Sequence, residues 1–411
     1  MRGLTDRAEA LLDRHLLKGS RRPLAVAVSG GGDSVALALI AEGWARRSRR
    51  DLLLLTLDHG LNPDSAAWTG RCEALAQRLG RPFRALAWTG PKPASGLPAA
   101  ARAARHRLLA EAAREAGARV ILMGHTADDV AEAQVMRAAG ATTPEPRVWA
   151  PSPAWPEGRG VFVLRPLLDV RRAELRDWLS ARGETWIEDP ANADPRFARA
   201  RARRALPADT PLERQEPAPA AIPFEERLGV LDVARAAFRA SPAGLAERWL
   251  AMACVCAGGG SRRPPGVRAA RLSAALRGDG PVLATLAGAR IEADAIAIRI
   301  FREAGEAARG GLAALSLPRS QAVVWDGRFE LLAPRPGLEV RRLAGLASRL
   351  PDAERRRLQA VPGAARGALP AVVDGERVSC PLLSDTPAVQ VRGLVADRLR
   401  AAAGLVTREP D

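Results

Sequence analysis

Leu24-Ala25-Val26-Ala27-Val28-Ser29-Gly30-Gly31-Gly32-Asp33-Ser34 is the stretch that decides the fold. Its first half is a short, unbroken apolar run, the pattern of a strand buried on both faces of a parallel sheet. Its second half is a glycine turn, and Asp33 to Arg47 then reads as a helix. A strand that leaves through glycines into a helix gathers backbone N–H groups and the positive end of a helix dipole at one point, which suits an anion. Ser29 and Ser34 add hydroxyls there. Asp33 would be repelled by bare phosphate, so it either caps the helix or stands beside a bound Mg²⁺. Taken alone, the glycine run fits a flexible turn capped by Asp33 equally well. Two familiar nucleotide loops are excluded. No Gly-Lys pair exists for a Walker loop, and Val35 stands where a dinucleotide fingerprint needs its third glycine.

Outward from this turn the first half alternates strand and helix. Leu52 to Asp58, Phe83 to Trp88 and Arg119 to Gly124 read as strands. Ser65 to Leu79, Pro98 to Gly117 and Asp128 to Ala139 read as helices, the second closed by Gly117. The series predicts an α/β fold with a doubly wound parallel sheet, whose ligands bind beyond the carboxyl ends of the strands. Ala141 to Arg159 reads as a loop, and Pro207 to Pro223 as a proline-rich linker. The domain expectation is a catalytic domain over 1–207, a linker over 208–223, a helical region over 224–300 and a mixed α/β region over 301–411. Within the helical region the pattern runs from Phe224 to about Arg277. Pro281 to Phe301 and Ala322 to Ala333 look strand-rich.

Four further segments carry chemistry. Thr56-Leu57-Asp58-His59-Gly60-Leu61-Asn62-Pro63 ends the second strand, and its turn formers allow a plain loop. Gly124-His125-Thr126-Ala127-Asp128-Asp129-Val130-Ala131-Glu132 ends the fourth strand and opens a helix. Acids there suit a helix start. Asp129 and Glu132 also share one helix face, where a carboxylate pair could hold a cationic amine. Arg102 and Arg105 lie one turn apart on the Pro98–Gly117 helix and could reach phosphates or simply be solvated. Finally Arg165-Pro166-Leu167-Leu168 precedes Glu188-Asp189-Pro190-Ala191-Asn192-Ala193-Asp194-Pro195-Arg196-Phe197 and then Arg199, Arg201, Arg203 and Arg204. Five arginines between Arg196 and Arg204 need anions close by, unless they form a solvated basic helix.

The S-G-G-x-D-S loop after a first strand resembles the PP-loop of the N-type ATP pyrophosphatases. In order, the five segments resemble those of the tRNA(Ile)-lysidine synthetase family, covering roughly residues 20–207. Asn62, His106, Val130 and Ala133 depart from that family, which has Arg, Tyr, Gln and Thr there. The resemblance implies a PP-loop ATPase (adenine nucleotide α-hydrolase-like) domain with a smaller mixed C-terminal region that binds tRNA. It implies ATP and Mg²⁺ as cofactors, with Ser29, Gly30, Gly31, Gly32, Asp33, Ser34, Asp58, His59, Arg102 and Arg105 at ATP and Asp33 at the metal. It implies that Asp129 and Glu132 recognise L-lysine, with Asp33, Asp129, Glu132 and His125 serving catalysis. Arg196, Arg199, Arg201 and Arg203 would meet tRNA phosphates. The partner would be a tRNA(Ile) with a CAU anticodon, and a homodimer is a further expectation. The reaction implied is ATP-dependent joining of lysine to carbon 2 of the wobble cytidine through an adenylated base. Rival expectations are a tRNA cytidine thiolase, a small-molecule PP-loop ligase and a non-catalytic RNA-binding relative.

Composition agrees with this assignment. The chain has 411 residues, is 47% hydrophobic and 26% charged, and so is globular with more than one core. A net charge of +16 suits a polyanionic partner. Part of that charge reflects a bias toward arginine, since Lys18 and Lys92 are the only lysines and tyrosine is absent. Cys72, Cys254, Cys256 and Cys380 form no C-x-x-C pair, which excludes a zinc ribbon and argues against sulfur transfer. The N-terminus carries acids and lacks an apolar core segment, so no signal peptide is expected. No apolar run approaches the ~20 residues of a membrane span. The cytoplasm is the expected compartment.

Overall fold

The computed structural model describes residues 2–141, 145–190, 194, 196, 198–206 and 218–411. They form two compact units, Met1–Pro217 with Val406–Asp411, and Ala218–Leu405. Ala191, Asn192, Ala193, Pro195 and Phe197 of the fifth segment, and 208–217 of the expected linker, lie outside the described residues.

The first unit runs α1 (Arg2–His15), β1 (Leu24–Ala27), α2 (Gly32–Ser48), β2 (Leu52–Asp58), α3 (Ser65–Arg78), β3 (Phe83–Ala87), α4 (Leu97–Glu115), β4 (Val120–Met123), α5 (Ala127–Ala138), β5 (Trp149–Pro151), β6 (Phe162–Leu164), α6 (Arg172–Ser180) and α7 (Ala198–Ala205). The sheet order is β3-β2-β1-β4-β6-β5. The first five strands of that order pair in parallel, and β5 closes the edge antiparallel to β6. The doubly wound parallel sheet is therefore present, and β5 is a strand within the stretch expected as loop. Strand order reverses between β1 and β4, which makes the gap between their carboxyl ends the natural ligand crevice.

Side-chain size on β1 explains its two faces. Leu24, Val26 and Val28 enter the core shared with α1, α2 and α6. Ala25 and Ala27 enter the other core, where Ala110 and Ala113 let α4 approach closely. β1 and β4 are buried at every residue, as a central parallel strand requires. The tail 406–411 also belongs to this unit. Trp149 donates its indole N–H to the Val406 carbonyl at 2.8 Å, and Glu409 pairs with Arg50 where both are almost wholly buried.

The second unit opens with β7 (Glu225–Arg227) and β8 (Val230–Ala234), so the segment from Phe224, expected to be helical, begins as strands. Three helices follow, α8 (Arg235–Ala240), α9 (Ala243–Ala257) and α10 (Gly266–Arg277), then β9 (Val282–Leu286), β10 (Ala289–Ala293) and β11 (Ala297–Arg302). The helical period was legible in α9 and α10. The two opening strands are too short to show alternation, and only pairing defines them, β8 with β11 and β7 with β8. A four-stranded and a three-stranded antiparallel sheet complete the unit. No helix among the described residues is long and apolar enough to cross a membrane.

Candidate active site

The glycine turn leaves β1 at Ser29. Gly30 has φ +78°, and a side chain there would meet Ile187 Cδ1 at 2.3 Å, so only glycine fits. Ile187 N–H donates to the Gly30 carbonyl at 2.8 Å, and the Trp186 ring lies against Gly32. Ser34 is a brace of the turn. Its hydroxyl donates to the Gly31 carbonyl at 2.9 Å and accepts from Ser29 N–H at 3.1 Å. Among the described residues, the N–H groups of Gly31, Gly32 and Asp33 meet no protein acceptor at the start of α2. Unpartnered N–H groups at a helix start are the kind of donors that suit an anion.

Across the crevice, Gly124 follows the end of β4. A methyl group there would sit 2.8 Å from the Asp33 carbonyl oxygen, so this glycine lets β4 and the loop touch. Thr126 then caps α5. Thr126 N–H donates to Asp129 Oδ2 at 2.7 Å and its hydroxyl to the same oxygen at 3.0 Å, a capping box in which Asp takes the place usual for Glu. Glu132, one turn on, is fully buried.

Three arginines neutralise these acids. Arg172 Nε lies 3.2 Å from Asp33, and its other nitrogens lie 3.7 Å from Asp129 and 3.4 Å from Glu132. Arg199 is 2.7 Å from Asp129 and 3.2 Å from Glu132 Oε2, the latter without an aligned hydrogen bond. Arg203 donates to Glu132 Oε1 at 2.8 Å. Burial raises the Asp33 carboxyl above the ordinary carboxylate range against the pull of Arg172. Asp129 goes the other way. Burial opposes its charge, but Arg199, the Thr126 N–H and Arg172 together hold it low.

Asp58 and His59 end β2. Asp58 accepts from Gly60 N–H at 2.7 Å, which fixes the turn. His59 meets the edge of Trp88 at 6.3 Å between centroids, and its Nδ1 is buried without a partner. Burial and the charge of Arg105 depress its pKa. Arg102 and Arg105 of α4 face Arg199 and Asp129, and among the described residues neither makes a hydrogen bond or ion pair. Burial and the neighbouring guanidiniums make both less stable as cations, as an arginine pair awaiting an anion would be. His125 follows Gly124, and its Nδ1 accepts from Arg165 Nε at 3.2 Å.

Ion pairs through Arg172 bring Asp33, Asp129, Glu132, Arg199 and Arg203 together, whereas Arg196 and Arg201 make other contacts. Arg196 pairs with its neighbour Asp194 at 2.6 Å and is largely exposed, and Arg201 donates to the Arg196 carbonyl at 2.9 Å. Anions for Arg199 and Arg203 come from the protein itself. Arg172 was missed by motif reading. A signal existed: Arg171 and Arg172 open α6, and cations at a helix N-terminus oppose its dipole unless acids stand nearby. The acids are those of α5, whose Asp128 accepts from Arg172 N–H at 2.7 Å.

Among the described residues no group of His, Cys, Asp or Glu is arranged as a metal cage. One loop carboxylate beside phosphates is nonetheless the pattern Mg²⁺ prefers, and Asp33 fits it. Cys72, whose sulfur lies beneath Gly30, is buried and its thiol is pushed up by burial, which suits packing and not sulfur transfer.

A family model described as a PP-loop domain matches residues 4–209. The tRNA(Ile)-lysidine synthase of Caulobacter vibrioides is 50% identical over 98% of this chain and 98% of its own. That of Hyphomonas neptunium is 34% identical over 76% of this chain and 89% of its own. That of Methylobacterium nodulans is 45% identical over 48% of this chain and 57% of its own.

Proposed function

The chain belongs to the tRNA(Ile)-lysidine synthase family of PP-loop enzymes, and from that premise we propose that it joins L-lysine to carbon 2 of the wobble cytidine of a tRNA(Ile) with a CAU anticodon, in the cytoplasm. The observation that carries this reading is the span of Arg172, which joins the loop acid Asp33 to the pair Asp129 and Glu132. An anion site and an acidic pocket then share one crevice.

The cytidine carbon-2 oxygen attacks the α-phosphorus of ATP, an oxygen–phosphorus bond forms, and pyrophosphate leaves. The lysine ε-amine then attacks carbon 2, AMP departs with the oxygen, and the amine gives up a proton. The free N–H groups of Gly31, Gly32 and Asp33 stabilise charge on the pyrophosphate. Asp33 would hold Mg²⁺, which adds positive charge there when bound. Ser29 and Ser34 keep the turn in shape, while Arg102 and Arg105 meet phosphate. Asp58 and His59 border the nucleotide at the end of β2. Asp129 and Glu132 take the lysine ammonium and hold the amine in line with the base. Arg196, Arg199, Arg201 and Arg203 meet the tRNA backbone, and the second unit adds further tRNA contacts.

The test uses purified protein, Mg²⁺-ATP, labelled lysine and a tRNA(Ile) transcript with a CAU anticodon, followed by nucleoside mass spectrometry. Lysine-modified cytidine is the expected product. Pyrophosphate release that depends on tRNA but yields no labelled nucleoside would overturn the choice of amine or tRNA. Absence of both, beside an active control enzyme, would overturn the enzymatic reading.

A further inference from the structure

We propose that Arg165 is a positioning residue that locks His125 in its Nε2–H tautomer, so that His125 enters the reaction as a neutral hydrogen-bond donor and not as the acceptor of the lysine proton. Arg165 lies at the end of β6, is 6% exposed, and is aimed by two contacts. Its Nη1 donates to the Arg147 carbonyl at 2.8 Å, and its Nε points at His125 Nδ1 from 3.2 Å. A guanidinium has no lone pair to offer, so Nδ1 must be the acceptor. In a neutral imidazole the single proton then sits on Nε2. An imidazolium would turn an N–H toward the Arg165 N–H and place two like charges in contact.

This is the reverse of the usual histidine support, in which a carboxylate or carbonyl takes the Nδ1 proton and raises basicity. The other charged groups facing His125 do not undo it. Arg105 of α4 and Arg199 of α7 oppose a positive ring, and Asp129 of α5, the single group favouring one, is already bonded to Arg199. Burial works in the same direction as the arginines. His125 Nε2 makes no protein hydrogen bond among the described residues. Its N–H is free to meet an electron-rich oxygen, and the reaction offers oxygens on the α-phosphoryl group and on cytidine carbon 2. A neutral imidazole next to a developing oxyanion donates without needing to hold a net charge. The identity of that oxygen rests on the lysidine reading, whereas the tautomer does not.

The test is therefore spectroscopic first. Two-bond proton–nitrogen correlation spectra of the full-length protein, labelled at histidine, distinguish the tautomers, and His125→Gln identifies the resonance. The expected result is a neutral ring with its proton on Nε2, unchanged between about pH 7.5 and pH 5.5, where a free histidine would gain charge. Arg165→Lys keeps a donor and should keep this tautomer. Arg165→Met should release it, giving a mixed tautomer in a ring that burial, Arg105 and Arg199 still keep neutral. An Nδ1–H ring or an imidazolium in the unmodified protein overturns the proposal even if no variant folds. So does an unchanged ring in a folded Arg165→Met protein. Failure to form lysidine with the tautomer as expected would instead refute only the function assigned to the crevice. In the kinetic arm, Arg165→Met should lower kcat with little change in the KM for lysine.

Discussion

Asp129→Asn separates the two half-reactions, because the two oxygens of Asp129 do different things. Oδ2 accepts both hydrogen bonds from Thr126 and starts α5, while Oδ1 faces Arg199 at 2.7 Å and Arg172 at 3.7 Å. Asparagine keeps an oxygen for Thr126 and loses only the charge. Alanine would also remove the cap, at about 1 kcal/mol, and blur the result. A hydrogen bond to a charged group contributes about 1.5–3 kcal/mol. At about 1.4 kcal/mol per tenfold, the KM for lysine should rise about 10- to 150-fold. The stability change should be small, since Arg199 is 46% exposed and its pairing is screened. Adenylation should persist, because the negative charge of Asp129 pushes the Asp33 carboxyl up and its removal leaves Asp33 more firmly ionised. The assay is pyrophosphate exchange with tRNA and no lysine, beside lysine incorporation over a range of lysine concentrations. Exchange that falls in step with incorporation would refute the division of labour between Asp33 and Asp129.

Three other outcomes follow from the same geometry. Gly124→Ala puts a methyl group 2.8 Å from the Asp33 carbonyl, so β4 and the loop must part. A cost of about 1–3 kcal/mol is expected, with adenylation lost and the circular dichroism spectrum kept. Full activity would show that the close approach is dispensable. Glu409→Ala strands the buried Arg50, and urea unfolding of the first unit should register a loss of about 3–5 kcal/mol. A change below about 1 kcal/mol would show that the tail merely rests on the surface. His106 is buried among Arg102, Arg105 and Arg165, with its pKa lowered to about 3. The unfolded chain therefore binds a proton that the folded chain refuses. Stability from this group is complete above about pH 6.5 and falls by up to about 1.4 kcal/mol per pH unit on acidification toward the folded value. His106→Asn should flatten that slope, and an unchanged slope between about pH 6 and pH 4 would contradict the assignment.

What was legible in the sequence is what lies contiguous along it. LAVA and VILM are apolar at every residue because both faces of a central parallel strand are covered, and Gly30 after β1 stands where a side chain cannot. The acids of α5 were legible because a helix repeats its face every few residues. β5, β7 and β8 were not, since three to five residues are too few to display a period and their partners lie elsewhere in the chain. The tail was illegible for the same reason. Nothing local in Val406 to Asp411 says that Glu409 will meet Arg50, more than three hundred residues earlier.

Arg172, Arg199 and Arg203 show a deeper limit. Motif reading gave acids to lysine and arginines to tRNA, as separate lists. In the structure they are one electrostatic unit, with Asp33, Asp129 and Glu132 facing Arg172, Arg199 and Arg203. Charge within this cluster is matched before any substrate arrives. A lysine ammonium entering such a pocket gains little unless a guanidinium gives way, because a balanced cluster has no excess negative charge to offer. The side chains of Arg199 and Arg203 are 46% and 37% exposed, against 15% for Arg172, so they give way at the smaller desolvation cost. A phosphate backbone is the partner that can receive them. Under the proposed function the same two arginines would answer to both substrates, and the basic helix α7 would make the acidity of the proposed lysine pocket depend on the presence of RNA.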